Sequence, residues 1–143
     1  MIKKIAYFIS IIFIISCKSD DGMPDCSAVL CAEPAISINL IDTDTNLNII
    51  LQDNISKEMV VIKNASKNEM PFSIIESNGF LYVEKQNRLD SLEIQINSEI
   101  VATISYDTTE PNPDECCDFG SLINVVIDGL SYTIENHLVT IYL

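Results

Sequence analysis

The chain has 143 residues, 48% of them hydrophobic and 20% charged, with a formal net charge of −13 and a single histidine. That length suits one domain. The acidic balance argues against nucleic acid and anionic lipid head groups as partners, because phosphate binding needs clustered Lys and Arg.

The chain opens on a leader. Met1-Ile-Lys-Lys-Ile5 carries two positive charges, an apolar run from Ile5 to Ile15 broken only by Ser10 follows, and Ser16-Cys17 closes it. A charged start, a short apolar middle and a small residue at the cut are the layout of a secretory signal. The apolar run is well short of the roughly 20 residues a spanning helix needs. With a cysteine directly after the small residue, the segment resembles a bacterial lipoprotein signal. That resemblance implies removal of residues 1–16, a diacylglycerol on the Cys17 thiol and an acylated amino terminus. It also implies lasting attachment to a membrane, since each buried CH₂ contributes about 0.8 kcal/mol and one chain alone binds only reversibly.

Lys18-Ser19-Asp20-Asp21 follows, a small polar pair and then two acids. It resembles the export signal of Gram-negative surface lipoproteins, which implies an outer-membrane location on the cell surface or the periplasmic face. The same residues also fit a plain solvated tether. In either reading residues 17–34 form a lipidated tether carrying two cysteines, with too few apolar side chains before Ala28 to order themselves. Loss of Lys3 and Lys4 with the leader takes the mature charge from −13 to −15, a repulsion that favours solubility and opposes non-specific self-association of an exposed domain.

Residues 35–143 form the folded domain. Ile36-Ser-Ile-Asn-Leu40 alternates, as a half-buried strand does, and Asp42-Thr-Asp-Thr-Asn46 is a cluster of turn formers. Further apolar runs cover Leu47–Leu51, Met59–Ile62, Phe72–Ile75, Phe80–Val83, Leu92–Ile96 and Ile100–Tyr106. Asn78-Gly79 predicts a hairpin between two of these, because both residues accept positive φ. Asp128-Gly129 predicts a second, type I′ hairpin between Ile123–Ile127 and Leu130–Ile134, and Leu138–Leu143 ends the chain as a strand. Eight to ten short strands at even spacing and no substantial helix predict an all-β fold, a single antiparallel β-sandwich. The pattern resembles the transthyretin-like or immunoglobulin-like sandwiches of small secreted lipoproteins, although the Cys…Trp…Cys core of true immunoglobulin domains is missing.

Four cysteines follow Cys17. Export to an oxidising compartment makes Cys26, Cys31, Cys116 and Cys117 disulfide partners. Bonding Cys116 to Cys117 is disfavoured, because adjacent Cα atoms lie about 3.8 Å apart, below the usual range of roughly 4.4–6.8 Å. The expectation is therefore two cross-links between the segments, in either pairing. A zinc site is the alternative, but adjacent cysteines do not match the Cys-x₂₋₄-Cys pairs that zinc uses.

The remaining candidates are loops. Asp107, Glu110, Asp114 and Glu115 lie in an acidic, proline-bearing stretch before the paired cysteines, which makes it the candidate binding loop. Asp42-Thr-Asp-Thr-Asn46 resembles the start of a calcium loop, but Leu47 stands where the glycine belongs, leaving an Asx turn as the plainer reading. His137 lies in a turn with no nucleophile signature to serve. Asp90-Ser-Leu92 and Asp107-Thr-Thr109 resemble sites of bacterial O-glycosylation. The expectation is a non-enzymatic binding or accessory module of the cell envelope, with envelope proteins or glycans as partners and no cofactor or metal. The alternative is a small glycan-directed hydrolase using the carboxylates between Asp107 and Glu115.

Overall fold

The computed structural model describes residues 25–31, 35–84 and 89–143. The leader, Cys17 and Lys18–Asp21 lie outside the described residues. Among the described residues no helix is long and apolar enough to cross a membrane.

Among the described residues nine strands form two layers. They are β1 (Ala35–Ile41), β2 (Val60–Lys63), β3 (Phe72–Ile75), β4 (Phe80–Glu84), β5 (Leu89–Ile96), β6 (Glu99–Thr108), β7 (Leu122–Ile127), β8 (Ser131–Glu135) and β9 (Leu138–Tyr142). One sheet runs β3-β4-β1-β9-β8 and the other β2-β5-β6-β7, an all-β sandwich. Period-two alternation turns alternate side chains of each strand into the space between the sheets. Ile36, Ile38, Leu40, Leu81, Val83, Val139 and Ile141 fill it from the first sheet. Leu92, Ile94, Ala102, Ile104 and Tyr106 meet them from the second.

The sandwich is not purely antiparallel. β1 pairs with β9 in parallel, from Ser37 opposite Leu138 to Ile41 opposite Tyr142, while every other pairing is antiparallel. A parallel neighbour needs a long connection, and here all the intervening strands supply it. Alternation has the same period in both arrangements, so the sequence pattern carries no sign of the difference.

Two turn expectations change. Asn78-Gly79 does end a hairpin between β3 and β4, but only Gly79, at φ +71°, uses the left-handed region. Asp128-Gly129 closes no hairpin: β7 and β8 belong to different sheets, and Gly129, at φ +73°, turns the chain from one layer to the other. Leu130 packs against the core at this crossing, and the Tyr132 hydroxyl donates to the Val125 carbonyl at 2.8 Å, tying the two layers at their margin. The turn with both central residues at positive φ, as type I′ demands, is instead Asn97-Ser98 (φ 52° and 69°) between β5 and β6.

Leu47–Leu51 is not a strand either. Asn48 caps a single helical turn, α1 (Ile49–Gln52), its Oδ1 accepting from the Leu51 N–H at 3.0 Å. An Asn at this position satisfies one of the open donors of the first turn. Its Nδ2 donates to Asn39 Oδ1 at 2.8 Å, fixing α1 to β1. Ile50 and Ile55 then enter the core and close that end of the sandwich. Gly79 lies against this turn: a Cβ there would meet Asn48, and it would come within 2.9 Å of Leu51 Cγ.

Ser98 holds a left-handed conformation that costs a non-glycine residue about 1–2 kcal/mol. Ser98→Gly is expected to raise stability by about 0.5 kcal/mol once the added freedom of the unfolded chain is offset. The check is a higher urea midpoint at unchanged slope.

Candidate functional site

The strongest local feature is the junction between residues 25–31 and the loop that joins β6 to β7. Asp25 accepts from the Ser27 N–H at 3.1 Å and caps a short 3-10 turn, Cys26–Ala28. That hydrogen-bonded seat at Ser27 holds the Asp25 carboxyl below its ordinary value. From here Cys26 bonds Cys116 and Cys31 bonds Cys117, each pair with Cα atoms 5.3 Å apart. This is the expected cross-linking between the two segments, with the pairing now settled. The sequence separations are 90 and 86 residues.

The receiving loop, between β6 and β7, is built to hold that load. Asp118 spans it: Oδ2 accepts from the Asn112 N–H at 2.7 Å and Oδ1 from the Gly120 N–H at 2.8 Å. Asn112 in turn accepts from the Asp114 N–H and donates to Glu115 Oε1 at 3.1 Å. At the mouth, the Thr109 N–H donates to the Ser121 carbonyl, and the Ser121 N–H donates to Thr109 Oγ1 at 2.8 Å. Gly120 is buried at φ +74°, and a Cβ there would strike the Thr109 carbonyl. Asn112, Asp118 and Gly120 were not among the predicted site residues. The one signal available was their type, since Asn, Asp and Gly mark turns whose side chains bind nearby backbone.

The predicted acids separate into two groups. Glu110, Asp114 and Glu115 lie exposed in this loop. Asp107 belongs to β6, partly buried, and its Oδ1 accepts from the Thr108 N–H at 2.7 Å. Among the described residues no group of three His, Cys, Asp or Glu side chains is placed to hold a metal ion. Two open depressions flank Ser73 on β3, of about 370 and 280 Å³. Ile55, Lys57 and Glu76 help line the larger, Pro71, Tyr82 and Glu84 the smaller, and none of the loop acids lines either. Thr108 is buried on the inner face of β6, which removes it as a glycosylation acceptor in the folded protein.

At the opposite end of the sandwich, Asp42-Thr-Asp-Thr-Asn46 is an Asx turn. Asp42 Oδ1 accepts from the N–H groups of Asp44 and Thr45 at 2.9 and 2.7 Å and from the Thr45 hydroxyl at 3.0 Å. Those bonds, the Thr45 N–H foremost, lower its pKa. The carboxylate thus satisfies its own loop, and Leu47 and Leu51 stand exposed beside it.

On the outer face of the second sheet, Glu93 is covered by the loop that follows β2. Lys67 Nζ lies 2.6 Å from its Oε2, and Gln95 Nε2 donates to Oε1 at 2.8 Å. The Lys67 bond is the main reason the Glu93 pKa falls below its ordinary 4.5, against the opposing pull of desolvation. Compared with protein-family models, with curated proteins and with solved structures, the chain matches none.

Two outcomes follow for this region. Removing either disulfide alone, as C26S/C116S or C31S/C117S, opens only a small ring and is expected to cost about 2 kcal/mol. Removing both opens the long loop and costs about 6 kcal/mol, more than the sum of the two; urea denaturation of the three variants measures it. Glu93 carries a depressed folded pKa, so its contribution is present above the unfolded value near 4.5 and is lost as pH falls through the folded one. Thermal melts of Glu93→Gln between pH 7 and pH 3 are therefore expected to fall less steeply with acid than those of the parent.

Proposed function

We propose that this chain is a lipid-anchored envelope protein of the outer membrane whose sandwich acts as a non-enzymatic binding or accessory module for an envelope protein or glycan. The observation that supports this best is the clasp. Disulfides persist in oxidising compartments outside the cytosol, and two of them join the segment that follows Cys17 to one end of the domain. Eight residues lie between Cys17 and Cys26, and the nine steps they span reach about 30 Å when extended. In this reading the clasped end faces the membrane and the end bearing α1 faces outward. The Asx turn at Asp42 and the exposed Leu47 and Leu51 are then the surface offered to a partner. The likeness to transthyretin-like or immunoglobulin-like lipoprotein modules belongs to this proposal at the level of layered architecture.

The test is full-length chain expressed in a Gram-negative host beside Cys17→Ala. The parent is expected in the outer-membrane fraction, with acyl mass on the peptide that begins at Cys17, and Cys17→Ala in the soluble fraction. Pull-downs from envelope extracts with the parent are expected to retain a protein or glycan that Leu47→Asp/Leu51→Asp loses. A parent without acyl mass, or one that retains nothing, overturns the reading.

A further inference from the structure

A sandwich of two open sheets has four edge strands, and each exposes a row of unpaired backbone groups unless something blunts it. Here β2, β3, β7 and β8 are those edges. β2 has four residues, carries Lys63, and is followed by a loop that folds back to pair Lys63 with Glu69. β3 also has four residues, follows Pro71, and has the Lys57 ammonium 5.4 Å from the centre of its Phe72 ring. β7 is broken by a bulge opposite Ser105–Asp107, with Asn124 at φ 51°. Among the described residues β8 has no such device. It runs Ser131-Tyr-Thr-Ile-Glu135 without Pro, Lys or Arg, its register with β9 is unbroken over five pairs, and all five residues are exposed.

Its inner face is also unfinished. Tyr132 and Ile134 stand opposite the fully buried Ile141 and Val139, yet remain 36% and 40% exposed.

We propose that β8 is the joint for a second copy of this chain, pairing antiparallel with β8 of that copy about a twofold axis through Thr133. The register is self-complementary. Thr133 meets Thr133 of the second copy, Ser131 meets Glu135, and Tyr132 meets Ile134, so no two like charges face each other. Aromatic–β-branched and Thr–Thr pairs are favourable across such a joint. The inner apolar row then continues from Ile141 through Tyr132 to Ile134 and Val139 of the second copy, and the two five-stranded sheets become one of ten strands. Such an isologous contact closes on itself and leaves no further edge to propagate. Because both copies are strongly acidic, association strengthens as added salt screens their repulsion.

Thr133→Cys in the full-length chain tests this. Residues directly opposite in an antiparallel pair lie about 4.5–5.5 Å apart at Cα, within the usual disulfide range. On exposure to dioxygen, two thiols lose two protons and two electrons to it and join. A non-reducing gel is expected to show a band at twice the chain mass, more of it at 0.5 M than at 0.05 M NaCl. Ser73→Cys, exposed on the blunted edge β3, stays at single mass. Failure of Thr133→Cys to bridge, equal bridging by Ser73→Cys, or capture of a different protein at position 133 overturns the proposal.

Discussion

The first and last strands lie side by side, and the rest of the fold depends on that pairing. β1 occupies the centre of its sheet, with β4 on one side and β9 in parallel on the other. The side chains this brings together, Ile36, Ile38, Leu40, Val139 and Ile141, are among the most deeply buried of the molecule. β1 therefore cannot complete its ladder until β9 arrives. Contacts between strands so distant in sequence must overcome loop-closure entropy before they return any stability, which places this domain among the slower-folding topologies. Local hairpins at β3–β4, β5–β6 and β8–β9 can form first, but the central strand waits for the whole.

Most of the architecture was legible because alternation is a strong signal where one face is buried. Ile36-Ser-Ile-Asn-Leu40 and Leu92-Glu-Ile-Gln-Ile96 announce their faces without ambiguity, and the structure places each apolar residue inward. Pairing was less legible. Asp128-Gly129 marks a reversal, but a reversal can join neighbours in one sheet or carry the chain between layers, and the dipeptide is the same in both. What decides is Leu130, which packs inward at the crossing, and the reach of Tyr132 to the Val125 carbonyl. Leu47–Leu51 was misread for a related reason. Its apolar run is too short for its period to separate a strand from a helical turn, and the deciding groups, the Asn48 side chain and Asn39, lie nine residues apart.

The cysteine geometry was legible to the level of segment, because the short span between adjacent Cα atoms disfavours bonding Cys116 to Cys117. Which partner each took depended on the path of the loop, and that path is organised by Asp118, Asn112 and Gly120. Their roles come from backbone contacts that a residue type suggests but cannot locate. The acids were legible as charge and illegible as a site. Asp107 sits within a strand and bonds the adjacent backbone, whereas Glu115 braces Asn112.

The clasp has a mechanical consequence. Tension arriving along the chain from the amino-terminal side reaches Cys26 first and passes through sulfur into the loop between β6 and β7, bypassing β1. The force is thus applied where β6 and β7 meet it along a braced loop. The central strand would otherwise be peeled from its end, one ladder bond at a time. Covalent routing of load away from β1 protects the strand on which the assembly of its sheet depends.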